Sequence, residues 1–311
     1  MRQIKLAIFG VLAVHALLPA QPTYLFLRND VPARTAALGG SFVSMQNDPN
    51  ILFVNPAGLT TLEHDAVSVS YLDHLMDIGA GSFAYAGTWE PIGPFAVGIT
   101  YYHYGQFDET DASTNVYGTF SAVDLAVCAG TAFQLDASSS AGISVKYISS
   151  SIAEYYSTAL ALDAGYMYSV PEERVSIGIS LLNVGTQLSA YGTTRESLPL
   201  DLKVGITKRP EHLPVYLNLN FHRLQDGAVD IAERVKQYSF GAEFDMSESL
   251  RMRVGYNNRL RRDLKLGTSS GLAGFSGGFG LSIAGYLVDY AYNSYGAIGG
   301  LHRFSISSQL P

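Results

Sequence analysis

The chain has 311 residues, of which 47% are hydrophobic but only 15% are charged, whereas soluble domains carry about a quarter charged residues. Its 31 glycines, 20 tyrosines and 15 phenylalanines favour β-sheet and membrane-interface chemistry and argue against intrinsic disorder. The net charge of -7 gives no electrostatic footprint for nucleic acid, and a lone Cys128 argues against a disulfide scaffold.

Residues 1–20 are predicted to be a secretory signal peptide. Arg2 and Lys5 form a positive region, residues 6–18 are apolar, and Ala20 offers a small residue for cleavage. Beyond this segment we find no uncharged apolar run of the 18 or more residues that a membrane-spanning helix needs. The mature chain is therefore expected to be exported, and it would cross a membrane only as a closed β-barrel.

Residues 21–65 lack any strand period and are predicted to form a compact plug. They combine small residues, a glycine pair and Asx-Pro turns. A barrel of about 14 strands leaves a lumen unless something fills it, and this segment is available to do so. The plug motif is Arg34, Gly39, Gly40, Asn55, Pro56 and Ala57.

From residue 66 to residue 311 apolar residues recur at every second position, while the alternate positions carry Ser, Thr, Gly, Asn and some charge. This period of two indicates strands. The segments are 67–71, 83–89, 95–101, 123–129, 143–147, 160–168, 175–181, 200–206, 215–221, 238–244, 250–256, 273–281, 286–292 and 304–310. The prediction is an all-β fold, an antiparallel transmembrane β-barrel of about 14 strands.

The connections alternate between long and short, as they do in transmembrane barrels with long outer loops and short periplasmic turns. Long loops are predicted at 105–117 and 149–158, among others, and short turns at 90–94 and 169–173. Strands of roughly eight to twelve residues match the thickness of a bilayer. Tyrosines near the strand ends predict aromatic girdles; among them are Tyr101, Tyr102, Tyr104, Tyr155, Tyr156, Tyr166, Tyr168, Tyr290, Tyr292 and Tyr295.

The segment Ala33-Arg34-Thr35-Ala36-Ala37-Leu38-Gly39-Gly40, with the Asp48 turn and Asn55-Pro56-Ala57 after it, resembles the N-terminal region of FadL-like outer-membrane proteins. Within that superfamily it is most similar to the PorV/PorQ branch, in which these motifs recur in the same order. The resemblance covers nearly the whole mature chain. It continues in residues 24–27, 104–111, 118–122, 183–188, 198–200, 253–257 and 274–280.

The resemblance implies a non-catalytic barrel without cofactors, in the outer membrane of a Bacteroidetes-type Gram-negative bacterium. It implies a role in the type IX secretion system, whose cell-surface attachment complex processes secreted cargo and links it to lipopolysaccharide. The implied partner is a PorZ-like surface protein, held by the outer loops. The alternative is a FadL-like transporter of hydrophobic small molecules, which calls for an apolar lumen; the Ser, Thr, Gly, Asn and Arg of the lumen face disfavour it.

A third hypothesis is an outer-membrane enzyme, since residues 274–278 fit G-x-S-x-G with Ser276 as nucleophile. That motif needs a strand, a sharp turn and a helix, whereas Ser276 lies in a glycine-rich run of period two. The glycines are instead expected to allow close packing against the plug. The histidines are scattered, without a partner at i+4 or a nearby cysteine, so no metal site is expected.

Two charged stretches fall in predicted outer loops. Asp108, Glu109 and Asp111 read as a solvated acidic loop, with cation binding as the less favoured interpretation. A basic run follows strand eleven, and guanidinium groups match phosphate bidentately, so lipopolysaccharide or an acidic partner is a candidate contact. The loop residues of this run are Arg259, Arg261, Arg262 and Lys265; Arg251 and Arg253, before it, are predicted to point into the lumen.

Overall fold

A computed structural model describes residues 22–226, 230–265 and 271–310; the predicted signal peptide lies outside these residues. Fourteen strands form a closed antiparallel barrel in which each strand pairs with its neighbours in the chain, and β1 pairs with β14 to close it. The predicted fold class is confirmed.

The strands begin with β1 at the end of the plug and follow one another around the barrel. Their bounds are β1 Ala66–Asp73, β2 Gly79–Trp89, β3 Gly93–Thr110, β4 Val116–Gln134, β5 Ser139–Ile152, β6 Tyr155–Val170, β7 Val175–Ser189, β8 Asp201–Lys208, β9 Val215–Phe221, β10 Tyr238–Asp245, β11 Leu250–Asn257, β12 Phe275–Ile283, β13 Tyr286–Ser294 and β14 Gly300–Gln309. The short connections mark the periplasmic end and the longer ones the outer end.

Helices are short and lie in the plug and the outer connections. The α-helices are α1 Ala33–Ala37, α2 Ile231–Val235 and α3 Asn258–Asp263, and the 3-10 helices are Leu25–Arg28, Pro49–Phe53, Pro56–Thr61 and Gly296–Ile298. Among the described residues, no helix has the length and apolar character needed to cross a membrane.

Five strands are longer than predicted. β3 and β4 have 18 and 19 residues, and β5 to β7 have 14 to 16. The long loops predicted at 105–117 and 149–158 are wrong, because the ladder continues to Thr110 and resumes at Val116, and only two residues separate β5 from β6. Above the bilayer, lipid no longer requires one face of each strand to be apolar. The backbone pairing of the strands therefore continues there after the alternation of apolar and polar residues has ended.

The barrel wall alternates between the two faces as the sequence predicts. On β6, for example, Leu160 and Leu162 point outward and are exposed, whereas Ala159 and Ala161 are buried against the interior. Outward apolar side chains of this kind are those that lipid covers in a transmembrane barrel. The inward positions are mostly small, which leaves room for the plug.

The plug, residues 22–65, runs along the barrel axis. At the outer end, the backbone N–H of Thr23 donates to the carbonyl of Ser197, in the connection between β7 and β8. At the periplasmic end the plug passes into β1 at Ala66. Its own apolar residues, such as Phe42 and Leu52, are fully buried, so the lumen holds a small hydrophobic core surrounded by the wall.

Two tyrosines assigned to the girdle belong instead to the interior. Tyr102 is 2% exposed, and its ring lies 5.7 Å from that of Phe26 in the plug. Tyr104 donates its hydroxyl to Asp124 at 2.6 Å. Both tyrosines continue the inward positions of Gly98 and Thr100 in the regular alternation of β3, and the register shift comes only after them, between His103 and Gln106.

Candidate functional site

Helix α1 is held at both ends by polar side chains of the wall. At its start, the N–H of Ala33 donates to Ser305 of β14 at 2.8 Å. At its end, Asn293 donates to the carbonyl of Ala36 at 2.9 Å and Ser276 to that of Ala37 at 3.0 Å. The end groups of a helix have no partners within the helix. The wall therefore supplies the partners that such a short helix lacks.

A buried ionic cluster joins the plug to β10, β11 and β13. Arg34 donates from Nε and Nη2 to the two carboxylate oxygens of Glu243, at 2.9 and 2.8 Å, and from Nη1 to Asp48 at 3.1 Å. Arg253 donates to Glu243 and Asp289, each at 2.5 Å. The two arginines thus share one carboxylate, and the forked geometry fixes the direction of Arg34.

The charge of Arg34 is strongly favoured in this cluster. Burial by itself lowers the pKa of an arginine, but the Glu243 carboxylate outweighs it and raises the pKa of Arg34 above its ordinary value. The prediction that Arg253 points into the lumen agrees with its position, since its side chain is fully buried. Arg251 lies at the periplasmic end, 3.5 Å from Asp245.

The Asn55-Pro56-Ala57 motif forms the start of a 3-10 helix and a contact with the wall. The Asn55 side chain accepts from the N–H of Ala57 at 3.2 Å, which caps the helix, and donates to the carbonyls of Val43 and Tyr166. Pro56 occupies the first position of the helix, where its missing N–H costs nothing.

Glycines of the wall make room for the plug and form a glycine belt. At each of them an added Cβ would lie at or below 3.0 Å from a plug atom. They are Gly98, Gly130, Gly142, Gly165, Gly178, Gly205, Gly241, Gly255 and Gly278. Gly142 and Gly165 face each other across β5 and β6, and a Cβ on Gly142 would stand 2.4 Å from the carbonyl carbon of Pro56. Close approach of the plug therefore accounts for part of the glycine excess.

Gly39 and Gly40 follow α1 in left-handed conformations, with φ of 67° and 82°. These angles suit the end of a helix, where glycine adopts them without strain. A Cβ on Gly39 would also meet the backbone nitrogen of Tyr256 at 2.9 Å. Both glycines of the predicted motif thus allow the chain to turn at the end of α1 and to pack closely against β11.

Above the plug, the long strands enclose an apolar outer pocket of about 440 Å³. The plug contributes Tyr24, Leu25 and Phe26 to it, and the wall contributes Phe107 and Phe120, whose rings stack at 5.3 Å. Beside the plug a cavity of about 50 Å³ remains, space for one or two waters. Of these two spaces, the larger and more apolar lies at the outer rim.

The predicted basic run separates into different contacts. Arg259 lies 3.2 Å from Asp263 of the same helix, α3, and lines a cavity above the plug. Arg262 pairs with Glu233 of α2 at 2.6 Å. Arg261 donates to the carbonyl of Gly271 at 3.4 Å, and Lys265 is exposed. The prediction treated these residues as one loop surface, whereas α3 directs Arg259 inward.

The acidic stretch forms the tip of the β3–β4 hairpin. The Asp111 carboxylate accepts from the backbone N–H groups of Ser113 and Asn115 at 2.8 and 2.9 Å. The hydrogen bond from the Asn115 side chain lowers the pKa of Asp111 most, and these backbone bonds lower it further. Tyr117 donates to Glu109. Within the described part of the chain, no group of three His, Cys, Asp or Glu side chains is arranged to hold a metal.

Comparison with solved structures identifies the fold. The chain resembles the Ralstonia pickettii toluene transporter TbuX, with a TM-score of 0.61 and 12% identity over 92% of this chain and 99% of that one. A Pseudomonas aeruginosa FadL homologue gives a TM-score of 0.56 and 11% identity over 90% and 98% of the two chains. The fold is that of a FadL-like outer-membrane barrel.

The Pseudomonas putida toluene transporter TodX is also similar, with a TM-score of 0.57 and 11% identity over 89% of this chain and 96% of TodX. No protein-family model and no curated protein matches the sequence. Two of these neighbours are named as toluene transporters and the third as a FadL homologue. Ser276 donates to the plug carbonyl of Ala37.

Sequence reasoning missed the wall partners of the plug. Glu243 binds Arg34 across 209 positions, and Ser305 and Asn293 have the residue types of any polar lumen face. A signal was nonetheless present: Glu243 and Asp289 are carboxylates at inward positions of predicted strands, and buried charges need partners. Arg28 and Arg34 were the arginines available in the plug.

Proposed function

We propose that this chain is a non-catalytic barrel of the Gram-negative outer membrane, of Bacteroidetes type, that serves the type IX secretion system as PorQ does. In this role it holds a PorZ-like surface protein through its outer loops. The observation that carries the proposal is the tall outer side of the barrel. At the outer end of the barrel, β2 begins at Gly79, which pairs with His103 of β3. Beyond this pair, β3 continues for seven more residues to Thr110. These residues add roughly 20 Å of strand to the β3–β4 hairpin.

This projecting side offers a partner both shape and chemistry. Its apolar outer pocket opens next to exposed aromatic and aliphatic residues of the same hairpin, such as Tyr117 and Val116. Aromatic side chains dominate the binding energy of protein interfaces when they fill such pockets. An aromatic or aliphatic side chain of the partner, inserted between Phe107 and Tyr24, would anchor it.

The interior supports a holding role more than a passage. The plug is fixed by a buried ionic cluster and by the glycine belt, and the space of about 50 Å³ beside it is too small for an aromatic hydrocarbon. The wall residues that meet the plug are mostly glycine, serine, asparagine and charged residues, as the sequence predicts. Passage of a hydrophobic molecule along the axis would require the ionic cluster to break.

A second candidate function is transport of hydrophobic small molecules, and the comparisons favour it over the anchoring role. Two of the solved neighbours are named toluene transporters. The outer pocket of about 440 Å³ falls in the range of small-molecule sites and is lined mainly by apolar residues. On this alternative, the same pocket would receive the ligand from outside.

The test is co-purification from outer-membrane detergent extracts of a bacterium that has the secretion system. We expect the tagged wild-type chain to recover a large surface protein, and the double variant Phe107→Asp, Phe120→Asp to lose it. The control Leu213→Asp adds the same charge at an exposed apolar residue of the periplasmic turn between β8 and β9 and should retain the partner.

Uptake of labelled toluene by intact cells separates the two candidates. A double variant that loses the surface protein while uptake is unchanged supports anchoring. Loss of toluene uptake in the double variant, with no surface protein recovered by the wild type, overturns anchoring and supports transport.

A further inference from the structure

A second cavity, the outer chamber, lies above α1 between the plug and the outer ends of β8 to β14. Its volume is about 210 Å³. Unlike the outer pocket, it is lined by charged and polar groups from the plug, the wall and α3. Its cationic lining residues are Arg28, Lys203, Arg223, Arg259 and Arg303.

The carboxylates around the chamber do not neutralise these cations. Three of the five have a close acidic partner: Lys203 with Asp201 at 3.8 Å, Arg223 with Asp226 at 3.3 Å, and Arg259 with Asp263 at 3.2 Å. Asp30 also lines the chamber. Within the described residues, Arg28 and Arg303 form no ion pair. Residues 227–229 and 266–270 are Gly, Ala, Val and Leu, Gly, Thr, Ser, Ser, and they contribute no charge.

Two arginines that line the chamber each have one buried donor without an acceptor. The Nε atoms of Arg28 and Arg223 are buried without a hydrogen-bond partner in the described structure. Arg28 uses Nη2 for the carbonyl of Leu200 at 2.8 Å. Arg303 donates from Nε to the carbonyl of Asp30 at 2.9 Å and from Nη1 to the Asn293 side chain at 2.6 Å. Buried donors without acceptors are costly, so two unpaired donors on arginines of one cavity favour a ligand that brings acceptors to them.

The electrostatics agree with this geometry. Burial, followed by repulsion from Arg223, lowers the pKa of Arg28 to about 10. The same two causes, in the same order, lower the pKa of Arg259. Burial lowers the pKa of His222 to about 3, with Lys203 as the next cause, so this imidazole is neutral and adds no charge. The three arginines are close enough to repel one another, and an anion among them would relieve that repulsion.

We propose that the outer chamber binds a phosphate group that enters from the outer side of the barrel. A tetrahedral phosphate offers acceptor oxygens in several directions, and the guanidinium forks of Arg28 and Arg223 match it bidentately. Because Arg28 belongs to the plug and Arg223, Arg259 and Arg303 to the surrounding barrel, the bound phosphate links plug and barrel. This role is additional to holding a surface protein and does not depend on it.

The first test is calorimetric titration of inorganic phosphate into the full chain in a phosphate-free detergent solution, with chloride at equal ionic strength as the reference. We expect saturable binding of phosphate, weakened at least tenfold in Arg28→Gln and in Arg223→Gln. Arg209→Gln removes an arginine that pairs with Asp245 near the periplasmic end and should bind as the wild type does. Heat-modifiable mobility on electrophoresis confirms that each variant is a folded barrel.

Arg28 lies in the plug and Arg223 in the barrel, so the second variant still decides the test if the first does not fold. Absence of saturable phosphate binding to the wild-type chain overturns the proposal, as does equal weakening in Arg209→Gln. Competition then distinguishes two sources of the phosphate. Displacement of inorganic phosphate by diphosphorylated lipid A, but not by its dephosphorylated form, identifies a lipid headgroup; displacement only by a soluble sugar phosphate identifies a ligand from the medium.

Discussion

Along β4 to β7 the plug meets the wall mainly through glycines and serines, whereas along β10 to β14 charged and amide side chains act beside the glycines of the belt. On the first side, the fit between plug and wall depends on small side chains, because the plug leaves no room for a methyl group on Gly142 or Gly165. On the second side it depends on charge and direction, through Arg34 and Glu243. Added atoms should therefore be the main threat to the stability of the first side, and loss of charge the main threat to the stability of the second.

The largest effect is expected from Glu243→Gln, on the charged side. The change leaves Arg34 and Arg253 buried without the carboxylate that they share. Breaking a buried pair in this way costs about 3–5 kcal/mol. The measurement is the free energy of unfolding in urea, in detergent micelles. Asp245→Asn, in the same strand but partly exposed, should cost less than about 1 kcal/mol; equal losses would remove the special role of the cluster.

On the glycine side, Gly142→Ala is expected to destabilise the chain by about 1–3 kcal/mol, because the new methyl group presses on the backbone of the plug. Gly277→Ala is the matched control, since its Cβ would meet only the Arg253 carbonyl, at 3.7 Å. Thermal unfolding of both variants decides the matter. A Gly142 variant as stable as the control would show that the plug moves aside easily.

A smaller effect is expected from Asn55→Ala, which removes the cap of a 3-10 helix and the bond to the Tyr166 carbonyl at 3.2 Å. Loss of such a cap costs about 1–2 kcal/mol. Limited proteolysis of the plug reports local release, which should precede global unfolding in this variant. If the plug resists protease as well as in the wild type, the cap does not hold this side.

The smallest effect is expected from Glu233→Gln in α2. This carboxylate joins Lys236 and Arg262 on the outer surface, where ion pairs are screened by solvent and salt. The midpoint of thermal unfolding should not change measurably. A clear decrease would mean that the outer helices α2 and α3 stabilise the charged side, and the contrast between the two sides would then have to include them.

The sequence predicted the strands well where lipid imposes a period of two, as at Leu160 and Leu162. It failed above the bilayer, where residues 105–110 keep their backbone pairing without the period. The plug motif was recognised, but its partners were not. Ser305, Asn293 and Glu243 are brought to α1 by closure of the barrel, and local pattern carries no information about which strands meet the same point of the lumen. Likewise, a run of basic residues does not reveal that α3 directs Arg259 inward and Arg262 outward.

The lengthwise course of the plug also constrains assembly. Thr23 is fastened to the outer connection at Ser197, while Ala66 continues into β1 at the periplasmic end, so this segment passes through a ring that β1 and β14 complete. The contacts at Gly142 and Gly165 leave no width through which a folded plug could slide. A plug that has already folded therefore cannot enter a closed barrel, so the plug takes its final fold inside the lumen, against the wall.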